Sequence, residues 1–134
     1  MSDFVLTIPV LEKTRREIES HLIDAGAHTV LIVDQAGNII TSCGKTNNSI
    51  QDFTSLAALT AANFAATSQI ARLIGEDDFS LLFHKGKKDS IHFTRLGDDF
   101  ILVTIFGDDV SLGIIRLKIS ELIHRLSSIL GISV

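Results

Sequence analysis

The sequence predicts an α+β fold in which helices and strands follow the order α-β-β-α-β-β-β-α. Three observations lead to this prediction: amphipathic helical periodicity near both ends of the chain, an alanine-rich helical segment in the middle, and short β-branched or aromatic runs separated by turn residues. The chain has 134 residues, which is the size of one domain, so residues 1–134 are expected to form a single domain.

The N-terminal part predicts one helix followed by a β-hairpin. Residues 10–25 place apolar side chains on one helical face and charged side chains on the other, and Gly26 is suited to end the helix. Two short strands follow, over 29–33 and 39–43, and the turn-forming residues 34–38 join them. The apolar helical face consists of Leu11, Ile18, Leu22 and Ala25.

The rest of the chain predicts a second helix, three strands and a last helix. A polar loop over 44–52 leads into a helix over 54–74, which Gly75 is placed to end. The three strands are separated by short turns, which favour consecutive antiparallel hairpins. A regular apolar stripe predicts the last helix over 111–130. The strands are predicted over 79–84, 90–96 and 100–106.

The composition of the strands predicts their places in the sheet. Residues 30–33 and 100–106 are almost continuously apolar, so both of their faces should be covered by helices and both strands should be internal. Residues 39–43 and 79–84 mix polar with apolar side chains and should therefore lie nearer the edges.

The middle helix, residues 54–74, has two faces that carry a single charged residue between them. When it is projected at 100° per residue, its larger aliphatic side chains gather on one side, which is therefore expected to pack on the sheet. The opposite side should carry Lys and Glu if it faced water, yet Arg72 is its only charged residue. The side expected on the sheet consists of Leu56, Leu59, Ala66, Ile70, Leu73 and Ile74.

The uncharged outward side of the middle helix predicts a protein-interaction surface, because interface cores are depleted in charge. Small residues at four-residue spacing let another backbone approach, and Phe64 supplies an aromatic anchor. The alternative interpretation is a helix whose alanines serve helix propensity alone. The predicted partner-binding residues are Ala57, Ala61, Phe64, Ala65, Ser68, Gln69 and Arg72.

The composition and the motifs point away from nucleic-acid binding, nucleotide binding and catalysis. Twelve basic against 16 acidic residues give a net charge of −4, which excludes the basic footprint of a general nucleic-acid binder. Gly44-Lys45-Thr46 lacks the preceding glycine of a phosphate loop, whose position is occupied by Ile39. We therefore expect no cofactor, and no active site of the protein's own.

Histidine and cysteine do not predict a metal site. His84 and His92 would form a metal pair if they faced each other across a hairpin, but no third ligand is evident. Cys43 is the only cysteine and is expected to be a half-buried strand residue rather than a nucleophile. The acidic N-terminal segment does not resemble a signal peptide, so a cytoplasmic protein that does not span the membrane is expected.

The order and spacing of several segments resemble the Roadblock (dynein light chain) family. The middle helix carries Leu56-Ala-Ala-Leu-Thr-Ala-Ala-Asn63 and then Ala71-Arg-Leu-Ile-Gly-Glu76. The step Phe83-His84-x-Gly86 follows, and Ser111-Leu-Gly-Ile-Ile-Arg-Leu117 comes after the last apolar strand. Within the family, the chain is similar to the bacterial MglB-type GTPase-activating proteins.

The resemblance implies a Roadblock-type fold, a five-stranded antiparallel sheet with the middle helix on one face and the two terminal helices on the other. It also implies a homodimer in which the middle helices pair and the third strands join edge to edge. Phe79, Leu81 and Phe83 would lie at that dimer edge. Ser68 and Gln69 stand where relatives often have glycines, which is a departure on the presumed contact helix.

The resemblance further implies a function. MglB-type dimers bind a small Ras-like (MglA-like) GTPase across the helical face and accelerate its GTP hydrolysis, in the control of cell polarity and motility. They are thought to act without an arginine finger, by realigning the switch regions of a GTPase that itself holds GTP and Mg²⁺. The alternative is a non-activating scaffold or adaptor that binds a GTPase or another Roadblock subunit. A small-molecule sensor is a third class, less favoured because convergent polar groups are not evident.

Overall fold

The computed structural model describes residues 6–44 and 52–133 of the chain. Most of the predicted polar loop, residues 45–51, lies outside the described residues, and so do Lys45 and Thr46 of the rejected phosphate loop. The helices are α1 (Ile8–Ile18), which continues as a π-helical segment (Glu19–Ile23), α2 (Phe53–Leu73) and α3 (Leu112–Leu130). The strands are β1 (Thr29–Asp34), β2 (Ile39–Gly44), β3 (Leu81–Lys85), β4 (Asp89–Leu96) and β5 (Phe100–Gly107).

The five strands form one antiparallel sheet in the order β2-β1-β5-β4-β3. The two almost continuously apolar strands, β1 and β5, are internal, as their composition predicts. The mixed strands β2 and β3 lie at the two edges, which confirms the second part of that prediction.

Helices cover both faces of the sheet. The first hydrophobic cluster lies between the sheet and the pair α1 and α3, and it includes Val30 and Ile32 of β1. The second cluster lies between the sheet and α2, and it includes Leu31 and Val33. Alternate residues of one strand thus point to opposite layers, which is why this strand is apolar throughout. The predicted Roadblock-type arrangement of sheet and helices is confirmed.

Each helix begins at a side chain that accepts a hydrogen bond from a backbone N–H of the first turn. The Thr7 hydroxyl accepts from Val10 N–H at 3.3 Å, the Asp52 carboxylate from Ser55 N–H at 2.9 Å, and the Ser111 hydroxyl from Ile114 N–H at 3.2 Å. These caps satisfy donors that have no partner inside the helix. They also explain why α1, α2 and α3 begin within two residues of the predicted starts.

The turn between β1 and β2 packs against α2. Gly37 in this turn has a φ of 89°, and a Cβ atom there would lie 3.1 Å from the Cα atom of Ala58 on the helix. A larger residue would therefore meet both backbone strain and a crowded contact. This close approach helps to set the position of the helix above the sheet. No helix in the ranges 6–44 and 52–133 is both long and apolar enough to cross a membrane.

Candidate partner-binding surface on the middle helix

The side of α2 that packs on the sheet is lined with small and threonine side chains and one phenylalanine. Phe64 meets Phe93 of β4 edge to face, with ring centroids 6.2 Å apart. The Thr60 and Thr67 hydroxyls donate to the carbonyl oxygens one turn earlier, at 2.8 and 2.7 Å, so burying them leaves no polar atom unpaired. The buried residues of α2 are Ala57, Thr60, Phe64, Thr67 and Ala71.

The large aliphatic residues of α2 lie on the opposite side and are exposed. The exposed fractions are 68% for Leu59, 54% for Ile70 and 86% for Leu73, and Ile74 just after the helix is 65% exposed. Ala66, which was also expected on the sheet, is exposed as well, and only Leu56 packs partly against the core. The predicted orientation of α2 is therefore wrong by a rotation of roughly 100° about the helix axis.

The physical reason for the different orientation is the size of the buried side chains. Alanine and threonine let α2 lie close to the sheet, and the single Phe64 ring fills the space that remains there. The helical projection placed the largest aliphatic residues against the sheet. That assignment is sound only when the opposite face of the helix is solvated. In this helix the larger aliphatic residues are exposed instead.

The exposed side of α2 forms a continuous uncharged band, which we call the outer stripe. It consists of Leu59, Ala62, Ala66, Gln69, Ile70 and Leu73, all of them exposed. A solvated helix of this length would carry several charged residues, whereas Arg72 is the only one within α2 and it lies beside the stripe. Contiguous apolar surface of this kind is typical of interaction sites.

The predicted partner-binding residues are divided among three environments. The expected outward orientation of Ala57 and Phe64 is wrong, because both are buried against the sheet. Ala61 and Ser68 are half-buried along one flank of the helix. The other three residues, Ala65, Gln69 and Arg72, are exposed. Partner binding by these three stays a prediction, which their exposed position allows.

The half-buried flank of α2 lines a cleft of about 230 Å³, which we call the α2 cleft. Arg95 of β4 forms one wall, and its guanidinium lies 2.8 Å from the Asp78 carboxylate and 5.1 Å from the centre of the Phe64 ring. The Ser68 hydroxyl donates to Asp78 at 3.0 Å, and Arg72 lines the opening. Other lining residues are Gln35, Ala61, Ala65 and Ile101.

The edge strand β3 begins two residues later than predicted. Phe79 precedes the strand, because its N–H donates to the Asp78 carboxylate at 2.8 Å and pairing with β4 begins at Leu81. Leu81 is exposed, and Phe83 is half-buried and stacks on Phe106 with ring centroids 6.2 Å apart. The dimer edge stays a prediction, with Phe79 placed beside the edge strand and not in it.

The two histidines of the β3–β4 hairpin lie on opposite faces of the sheet. His92 pairs with Phe83 and Thr104 and faces α3, whereas His84 contacts Phe93 on the α2 side. A shared metal ion is therefore impossible for this pair, because adjacent strand positions point in opposite directions. No group of three or more metal-ligating side chains occurs among residues 6–44 and 52–133.

His92 is the buried polar residue that sequence reasoning missed. Burial, together with the charge of Arg116, lowers the pKa of His92 to about 4. Its Nδ1 atom lies 3.0 Å from the Thr94 hydroxyl, and its Nε2 atom is buried without a partner in the described part of the chain. The feature of the sequence that could have indicated the burial of His92 is its place within a strand, next to residues that are themselves buried. Cys43 lies in β2 as predicted, but it is buried and not half-buried, and burial raises the pKa of its thiol.

The sheet order, the helix on one face and the helix pair on the other define a small α+β domain of three layers. The family model of the Roadblock/LC7 domain matches residues 17–106, and the chain belongs to that family.

Solved structures of relatives match most of this chain. MglB of Myxococcus xanthus is 43% identical, with a TM-score of 0.81 over 87% of this chain and 94% of that one. The gliding protein MglB of Thermus thermophilus is 26% identical, with a TM-score of 0.87 over 98% of both chains. An uncharacterized protein of Aquifex aeolicus (strain VF5) is 30% identical over 124 residues, which are 89% of this chain and 76% of that protein. The chain is thus MglB-like, as the sequence segments predicted.

Proposed function

We propose that this protein is a homodimeric regulator that binds a small Ras-like (MglA-like) GTPase and accelerates its GTP hydrolysis. The observation that carries the proposal is the outer stripe of α2, an uncharged exposed band on a chain that is 43% identical to an MglB. The name of the Thermus relative, a gliding protein, supports a role in motility or cell polarity.

The outer stripe is suited to burial against another protein. Leu59, Ile70 and Leu73 are each more than half exposed on the same side of the helix. Burying one such side chain completely contributes about 1.5–3 kcal/mol, so three of them supply a substantial part of the free energy of association. The alanines between them keep the surface flat and allow a close approach of the partner backbone.

Dimerisation through β3 is part of the proposal. β3 pairs only with β4 among the described strands, so its outer edge offers backbone donors and acceptors to a second copy. Leu81 on this strand is exposed and would be covered in such a dimer. A second copy joined at this edge would place two α2 helices on the same face of a longer sheet and so enlarge the docking surface.

The proposed acceleration is a positioning effect on the GTPase. The partner holds GTP and Mg²⁺ and supplies the groups that orient the attacking water. This chain supplies a rigid surface, since α2 is capped at its N-terminus and packed on the sheet along its inner face. Docked switch regions would be held in the conformation that hydrolysis requires, which lowers the barrier without a catalytic residue from this protein.

The test is GTP turnover by the Ras-like GTPase of the same organism, followed by phosphate release with increasing amounts of this protein. Protein concentration should be measured by peptide-bond absorbance, since the chain has no Trp and no Tyr. Acceleration by orders of magnitude at saturation is expected. Binding on a sizing column without acceleration would replace the activator by a scaffold or adaptor, and the absence of a complex would refute the proposal.

Ala65→Arg is a suitable interface variant. Ala65 is exposed and lies between the outer stripe and the α2 cleft, so an arginine there should obstruct docking and leave the fold intact. Lys118→Ala on α3, which lies on the other side of the sheet, is a control that should keep full activity. Unchanged acceleration by Ala65→Arg would remove this flank from the proposed contact surface.

A further inference from the structure

We propose that the α2 cleft receives one carboxylate side chain of the docked GTPase and that Arg72 is its ion-pair partner. This inference rests on the proposed function, and it adds a specific polar contact to a surface that is otherwise apolar. The cleft lies directly beside the outer stripe, because Ala65 and Arg72 line it from the neighbouring flank of α2. A protein seated on the stripe therefore brings its side chains to the cleft opening.

The charges of the cleft favour an anionic group. Its lining contains the guanidinium groups of Arg72 and Arg95 and the carboxylate of Asp78, which leaves a formal charge of +1. The chain as a whole carries −4, so this positive site is a local departure from an acidic protein. Charge complementarity of this kind selects partners and sets their orientation on an interface.

The two arginines have different tasks. Arg95 is already engaged, since it pairs with Asp78 at 2.8 Å and lies over the Phe64 ring. Arg72 is exposed and has no ion-pair partner in the described part of the chain. The incoming carboxylate therefore pairs with Arg72, and the Arg95–Asp78 pair with Ser68 forms the preorganised wall of the cleft.

The size of the cleft fits a side chain better than a free metabolite. Its volume of about 230 Å³ lies below the range of roughly 300–1,000 Å³ that is usual for pockets that enclose small molecules. An Asp or Glu side chain, delivered by a protein already held on the outer stripe, loses little further freedom on entering. Polar contacts of this type add specificity at the rim of an apolar interface.

The first experiment measures the dissociation constant for the GTPase and the turnover at saturation with Arg72 variants. Arg72→Ala should weaken binding about tenfold, because a close charge pair is lost, and Arg72→Glu about a hundredfold, because a repulsion replaces that pair. Arg72→Lys keeps the positive charge and should weaken binding less than either. Turnover at saturation should stay unchanged. Arg16→Glu is the matched control, since Arg16 is exposed on α1 across the sheet and without an ion pair among the described residues.

The outcomes of this experiment separate the hypotheses. Equal binding by Arg72→Glu and Arg16→Glu would overturn the carboxylate site while leaving the GTPase proposal in place. A fall in saturating turnover with unchanged binding would also overturn it, because Arg72 would then act on the nucleotide phosphate. Failure of the unaltered protein to bind any Ras-like GTPase would refute the proposed function and, with it, the assignment of the carboxylate to a GTPase.

The second experiment tests the cleft without a GTPase. Sodium acetate is titrated into the ¹⁵N-labelled protein at constant ionic strength, with chloride as the reference anion, and the arginine Nε–H signals are followed by NMR. Acetate should shift the signal of Arg72 selectively, with a smaller shift at Arg95 and none beyond the chloride reference at Arg16. Equal shifts at Arg72 and Arg16 would show non-specific pairing and overturn the site.

Discussion

Truncation of Phe64 tests the orientation of α2, on which the assignment of the outer stripe depends. Phe64 is 3% exposed, meets Phe93 edge to face and lies under the Arg95 guanidinium. Phe64→Ala should therefore lower the free energy of unfolding by about 3–5 kcal/mol, the range for a phenylalanine in a packed core. The orientation first inferred from the sequence would place Phe64 in solvent and predicts a change below about 0.5 kcal/mol.

Leu73→Ala is the matched variant on the other side of the helix. Leu73 is 86% exposed, so its truncation should change the stability of the monomer by less than about 0.5 kcal/mol. If the stripe is covered in a dimer, an additional loss will appear and will depend on protein concentration, because the dimer equilibrium is linked to unfolding. A concentration series therefore separates the two contributions.

The assay is urea unfolding followed by circular dichroism at the helix band, since a chain without Trp or Tyr lacks the usual fluorescence signal. Phe64→Leu, which keeps most of the buried volume, should give a smaller loss than Phe64→Ala and remains measurable if the alanine variant does not fold. A neutral Phe64→Ala together with a strongly destabilising, concentration-independent Leu73→Ala would refute the orientation of α2.

Two further predictions concern polar side chains, one buried in the core and one at the α2 cleft. The pKa of His92 is lowered to about 4 from an ordinary value of 6.5, so the unfolded chain binds the proton more readily than the folded chain. Burial of the neutral ring therefore contributes fully to the free energy of unfolding above about pH 6.5. This contribution, up to about 3 kcal/mol, is lost as the pH falls toward 4. His92→Gln should flatten the stability profile between these pH values in urea titrations, and an unchanged slope would contradict the burial of the ring. Asp78→Asn should lower the unfolding free energy by about 1 kcal/mol in the same assay, because Arg95 loses its ion pair. A matched substitution at exposed Asp108 should have no effect, and equal losses for the two would contradict a specific role of Asp78.

The elements and the sheet order were predictable from local patterns. Continuous apolar runs identify β1 and β5 as strands covered on both faces, and the apolar stripe of α3 points to the core as predicted. The starts of α1 and α2 differ from the predicted starts by two residues and one, because side-chain caps decide them. The helix predicted to end at residue 25 ends as an α-helix at Ile18 and continues as a π-helical segment to Ile23, whereas α2 ends one residue before its predicted end.

The orientation of α2 could not be predicted from the chain alone. Both faces of this helix are apolar, so periodicity gives two candidate inner faces, and the larger aliphatic residues point to the wrong one. A helix of an isolated monomer would place Leu59 and Leu73 in its core. Their exposure on an uncharged face is the observation on which the proposed docking surface rests.

The α2 cleft was also beyond sequence reasoning. Asp78, Arg95 and Ser68 come from a connection, a strand and a helix, and nothing in their spacing along the chain indicates that they meet. The fold brings them together because β4 returns beside β3 underneath the C-terminal half of α2. Arg72 was identified from the helix alone, as the only charge on its presumed contact face.

The central claim is that the outer stripe of α2 is the docking surface for a Ras-like GTPase. The phosphate-release assay with Leu73→Arg tests this claim most directly. Leu117→Arg is the matched control, since Leu117 is 55% exposed on α3 across the sheet. Leu73→Arg should abolish the acceleration of GTP hydrolysis without changing the circular dichroism spectrum, and Leu117→Arg should retain it. Full acceleration by Leu73→Arg, or equal loss in both variants, would contradict the claim.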